Sequence, residues 1–137
     1  MRNLFLLLAS LIVPATLAAQ NAAPACDGRL AIVRLSEVSP TGTAAGFMKA
    51  VAAHKEWYAS HGLKDEIFAT RIIVRDETTH GTGYSEKQFL TFHIFPLNTP
   101  AEEPKHDAAW DAYVKMYREN SDIKTSYQIC MPDTGKR

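Results

Sequence analysis

The side chains of this 137-residue sequence that could move a proton near neutral pH are its five histidines, and their spacing limits what they can do. His54 and His61 flank the apolar stripe of one predicted helix, seven residues and so about 10 Å apart along its axis. Both cannot reach one ion at bond lengths of about 2 Å. His80 sits in a Gly-Thr turn and is expected to be solvated. His106 lies in the segment before a second predicted helix. No HExxH or other clustered ligand spacing occurs, so no metal site is expected. The serines have no GxSxG context and no phosphate loop is present, which argues against a hydrolase or a nucleotide enzyme.

His93 is the histidine with company. Alternation along three strand-like runs places it on the same sheet face as Arg34 and Arg71. Two guanidiniums and an imidazole among Phe89, Phe95 and Ile73 would suit a small aromatic or carboxylate-bearing ligand. Arg34, Arg71 and His93 are therefore the expected ligand-binding residues, with His93 the candidate acid or base. The competing reading pairs these charges with carboxylates at a dimer interface or an open rim.

The elements that must position them follow from periodicity. Residues 29–37 (RLAIVRLSE), 66–75 (EIFATRIIVR), 88–95 (QFLTFHIF) and 123–131 (IKTSYQICM) read as strands. A helix is predicted over 44–60, with Thr43 as its cap, Phe47, Val51 and Tyr58 as its apolar stripe, and Gly62 to end it. Trp57 falls off that stripe and is expected to be partly exposed. Residues 76–86 form a hairpin-like connection around His80. Three prolines between 96 and 105 mark a surface loop. Asp107 caps a second helix with Trp110, Tyr113, Val114 and Tyr117 on one side.

The resulting order, β-α-β-β-α-β, predicts an α+β, ferredoxin-like domain over 29–131. Right-handed crossovers give an antiparallel sheet of order 4-1-3-2 with two helices on one face. One sheet face carries Ala31, Val33, Leu35, Phe68, Leu90, Phe92 and Ile94. Being wholly apolar, it is expected to lie under the helices. The other mixes large apolar groups with Arg34, Arg71, Thr91 and His93, and a second copy of the chain would cover it.

Residues 1–19 read as a bacterial export signal. Arg2 is followed by an apolar run over 4–13, Pro14, and small residues before cleavage after Ala18 or Ala19. The run is short for a spanning helix, so no membrane contact is expected after cleavage, and a periplasmic or secreted destination follows. A 20–28 extension carries Cys26, and 132–137 is a tail. Two cysteines in an oxidising compartment most often pair. A bridge from Cys26 to Cys130 would close a loop of about a hundred residues, and strands 1 and 4 of this topology bring its ends together. Fifteen basic residues balance fifteen acidic ones, so there is no electrostatic case for nucleic acid as a partner.

The layout and the Trp110-x-x-Tyr113 helix stripe resemble the dimeric α/β barrels, among them antibiotic-biosynthesis-monooxygenase-like and NIPSNAP-like proteins. That resemblance implies a homodimer with a small-molecule site in each barrel. It also implies a range of activities, from cofactor-free oxygenases and haem-degrading enzymes to proteins with no known reaction. A metal-free oxygenase or isomerase, with haem as the one cofactor it raises, is one expectation. A non-catalytic envelope interaction module with a solid barrel is the alternative.

Overall fold

A computed structural model describes residues 26–97 and 104–132. The expected export signal, most of the 20–28 extension, the middle of the proline-rich loop and nearly all of the 132–137 tail lie outside the described residues. Six elements follow in order: β1 (Arg29–Val38), α1 (Ala44–Ser60), β2 (Glu66–Arg75), β3 (Thr82–Ile94), α2 (Ala108–Asn120) and β4 (Ser121–Met131).

Local chemistry sets the helix ends. Thr43 is extended and its hydroxyl accepts from the Gly46 amide, capping α1. The other end closes where Gly62 takes a positive φ of 74°. The Leu63 amide then bonds to Tyr58 O and the Gly62 amide to Ala59 O, each at 3.0 Å, which uses two carbonyls that the helix would leave bare. Asp107 caps α2 by accepting from the Trp110 amide at 2.9 Å. Asp76 folds the β2–β3 turn around its carboxylate, which accepts from the amides of Thr78 and Thr79.

The sheet runs β2-β3-β1-β4 with every neighbouring pair antiparallel, which from the opposite edge is 4-1-3-2. Residues directly opposed on antiparallel strands share a face. Ile32, His93 and Ile67 form one such row, Arg34, Thr91 and Ala69 the next, and Ser36, Phe89 and Arg71 a third. Both helices cover this face: Phe47 packs on Phe89 at 4.8 Å and Tyr58 on His93 at 4.7 Å between ring centroids, and α2 stacks Tyr113 on His54 of α1.

This reverses the expected assignment of faces. The wholly apolar set (Val33, Leu35, Phe68, Leu90, Phe92) points away from the helices, and Tyr127 and Ile129 of β4 join it through their pairing with Val33 and Ala31. The reason lies in the helices. Their inner sides carry His54, Tyr58, Tyr113 and Tyr117, rings with polar atoms that need polar partners when buried. His54 and Tyr117 bond to each other across the helices, and the mixed face sets the polar groups of Arg34, Thr91 and His93 beside these rings.

Two ties hold the ends of the sheet. Cys26 and Cys130 form a disulfide with Cα atoms 5.5 Å apart, next to the Leu30–Cys130 pair of the β1–β4 ladder. At the opposite end Asn120 joins α2 to the start of α1. Its side-chain oxygen accepts from the Thr43 amide, its amide group donates to Met116 O, and its backbone oxygen accepts from the Ser39 amide. A Cβ on Gly46 would overlap the Asn120 side chain. Gly46→Val is therefore expected to destabilise the fold by about 1–3 kcal/mol, with Asn120→Ala partly relieving it in the double variant. Additive losses in urea unfolding would contradict this clash.

Candidate ligand-binding site

The two middle strands and the two helices do not close completely. Between them lies a cavity of about 900 Å³, within the range of small-molecule sites. Arg34 and Thr91 on the sheet, His54 and Tyr58 on α1, and Tyr113 and Tyr117 on α2 are among its lining residues, together with His93 and Asp65.

The closest polar pair is His93 and Asp65, with Nε2 2.7 Å from Oδ1. Both side chains are almost wholly buried. Asp65 stands two residues before Ile67, the partner of His93 across the β2–β3 ladder, so strand pairing carries the carboxylate up to the ring. A buried imidazole held by a buried carboxylate has a fixed orientation. Phe95 stacks along the ring at 4.4 Å and Tyr58 meets it edge-on.

His54 has the opposite environment. Its ring stacks on Tyr113 at 4.7 Å and meets Tyr58, His93 and Tyr117 edge-on. Its Nδ1 lies 3.3 Å from the Tyr117 hydroxyl. Burial, then the neighbouring charges of His93 and Arg34, bring its pKa down to about 3. Burial likewise raises the Tyr117 phenol above its ordinary value, with Arg34 opposing in part. His54 is thus neutral at neutral pH and serves as a hydrogen-bonding spacer, so His93 is the cavity's candidate acid-base group.

The sign of the His54 shift sets a pH dependence. The unfolded chain takes up a proton near pH 6.5 and the folded one only near 3, so stability from this group is complete above pH 6.5 and lost as pH falls toward 3. At pH 5 the loss is about 2 kcal/mol. His54→Gln is expected to flatten the stability profile between pH 6.5 and 5 in urea titrations. An unchanged slope would show that His54 protonates freely in the fold.

Of the three residues singled out from the sequence, Arg34 and His93 line this cavity and Arg71 does not. Arg71 pairs with Phe89, four residues from His93 along β3, and the Phe47–Phe89 ring pair stands between it and the cavity. It is exposed, beside a smaller groove with Ala44, Ala45 and Met48. Phe95 also lines the cavity, whereas Phe89 and Ile73 are not in its wall. Among the other histidines, His80 occupies the exposed β2–β3 turn with φ of 55°. His106 stacks on Trp110 at 3.6 Å, and His61 Nδ1 lies 2.8 Å from Trp57 O.

The cavity residues do not fit haem as they stand. Nε2 of His93 is held by Asp65, and the His54 ring is enclosed by four others, so neither imidazole offers an axial nitrogen to a planar macrocycle. Among the described residues no three His, Cys, Asp or Glu side chains gather in the way a metal ion requires.

Asp65 was missed in the sequence because it precedes the β2 pattern rather than sitting in it. The hairpin register was the signal that could have found it. His54, Tyr113 and Tyr117 looked like stripe or flank residues, since periodicity shows which side of a helix is covered but not how fully. Comparison with protein-family models, curated proteins and solved structures found no match to this chain.

Proposed function

We propose that this chain is an exported, ferredoxin-like subunit of a dimeric α/β barrel that binds a small molecule between its sheet and its helices. The carrying observation is the cavity of about 900 Å³ walled by aromatic rings and holding the buried His93–Asp65 pair. A solid interaction module has no need of such a space. The pair gives the site an oriented imidazole–carboxylate unit, which a metal-free oxygenase or isomerase would use to exchange a proton with a bound carbon acid or phenol.

The dimer is supported by the sheet face that no helix among the described residues covers. Phe68 and Phe92 stack there at 4.9 Å, and Phe68, Tyr127 and Ile129 are exposed. Four strands of about ten residues present a face of roughly 600 Å², close to what each partner of a standard interface buries. An antiparallel sheet with such a face is self-complementary under a two-fold axis. The Cys26–Cys130 disulfide fits a periplasmic or secreted protein, and among the described residues no helix is long and apolar enough to cross a membrane.

Native mass spectrometry of protein purified without reductant tests both parts. The expected species is a dimer with added small-molecule mass, each subunit lighter by two hydrogens. Phe68→Glu is expected to yield folded monomers, because a two-fold interface would bring the new charges together. A wild-type monomer sinks the barrel. A dimer without added mass favours the interaction module.

A further inference from the structure

We propose that the ligand of this cavity is an aromatic carboxylate with a polar group at the far end of its ring, its carboxylate seated between Arg34 and Thr91. The inference rests on the small-molecule reading above and names the chemistry of that molecule.

Arg34 and Thr91 are direct partners on the two central strands, and both face the cavity. Opposed side chains on such strands start about 5 Å apart, close enough to share one small group. The Thr91 hydroxyl is buried and has no hydrogen-bond partner, in a residue only 6 % exposed. A buried hydroxyl is normally satisfied, so this one marks a place for a polar ligand atom. No carboxylate among the described residues pairs with Arg34. Asp65, the one inner carboxylate among the described lining residues, is taken by His93. At the rim, the exposed Arg118 and Asp122 add one charge of each sign. The uncompensated charge inside is therefore the Arg34 guanidinium, whose planar fork matches a carboxylate and whose cross-strand neighbour, the Thr91 hydroxyl, can donate to the same anion.

The rest of the molecule follows from the spacing. Beyond this anchor the walls are the rings of Tyr58, Trp110, Tyr113 and Tyr117, which suit an aromatic body. His93 lies two residues from Thr91 on the same face, about 7 Å along the strand. A ring lying along this face would carry a hydroxyl opposite its carboxylate toward the His93–Asp65 pair.

Isothermal titration of the oxidised full-length mature protein with 4-hydroxybenzoate, benzoate and 4-hydroxybenzyl alcohol tests each contact. The acid is expected to bind at least tenfold more tightly than the alcohol. Arg34→Gln should abolish that preference and Thr91→Val should reduce it, with unchanged circular dichroism in both. Benzoate should bind several-fold more weakly than 4-hydroxybenzoate, and His93→Gln should remove that difference. If the alcohol binds as tightly as the acid, the carboxylate assignment is overturned while the cavity remains a small-molecule site. If none of the three binds, the inference is overturned, and the small-molecule reading is then decided by the mass carried by the native dimer.

Discussion

Replacing both Cys26 and Cys130 by serine is expected to lower the free energy of unfolding by about 2–4 kcal/mol. The bridge joins residues 104 apart in sequence, so it encloses all six elements. Cross-linking a loop of this length removes a large share of the unfolded chain's freedom. Native contacts change little, because β1 and β4 remain paired from Arg29–Met131 to Val38–Ser121. The loss should therefore appear as a lower urea midpoint with an unchanged native far-ultraviolet spectrum. Reductant added to the wild-type protein should reproduce it. Ligand affinity should hold at temperatures where both forms are folded, since neither cysteine lines the cavity. Equal stability of the serine variant and the oxidised protein would show that the ladder alone fixes the strand ends.

The same bridge illustrates why so much of the fold was legible. Strand order and cysteine placement were independent clues, and both required β1 to lie beside β4. The helix limits were legible because Thr43, Gly62 and Asp107 act locally, through their own backbone and side-chain geometry. β3 was harder to delimit. It starts at Thr82 rather than near Gln88, because Thr82, Gly83 and Tyr84 pair with Arg75, Val74 and Ile73 through backbone bonds. Backbone pairing leaves no mark in side-chain alternation there.

The faces of the sheet were read as a choice between apolar and mixed, on the premise that helices seek the more apolar side. Each strand pattern shows two faces but not what opposes them. His54, Tyr58, Tyr113 and Tyr117 are what opposes the mixed face here, and only the assembled structure brings them over Arg34, Thr91 and His93. The reversal moves Arg34 and His93 from an expected intersubunit barrel into a space within one subunit. It also leaves Phe68, Tyr127 and Ile129 of the more strongly apolar face exposed, although Ala31, Val33 and Ile94 on that face are buried, and it is the exposed part that a second copy would cover.

Trp57 is where the helix pattern misled most, and Trp57→Ala is expected to cost about 3–5 kcal/mol. Its position off the Phe47–Val51–Tyr58 stripe suggested exposure, yet it is only 2 % exposed. The stripe faces the sheet, and α2 covers the flank beside it. Trp57 packs edge-on against Trp110 at 4.7 Å, beside Tyr58 and His61, and belongs to the same buried cluster as Phe47 and Tyr113. Its indole N–H donates to Oδ1 of Asp107 at 2.8 Å, the same oxygen that accepts the Trp110 amide. Those two bonds, the Trp110 amide first, hold the Asp107 carboxyl below its usual pKa. One side chain thus fills the space between the helices and fixes the cap that starts α2. Truncating it would leave a large void and loosen the helix that carries Trp110, Tyr113 and Tyr117 into the cavity wall. The expected result is a large drop in urea stability, faster amide exchange across α2, and weaker ligand binding in the fraction still folded. Trp57→Phe keeps most of the packing and loses only the donor, so it should retain most of the stability while still speeding exchange at the first turn of α2. If Trp57→Ala costs less than about 1 kcal/mol, a value typical of surface changes, or if exchange across α2 is unaltered, then the helix pair is held elsewhere and the cavity wall does not depend on this contact.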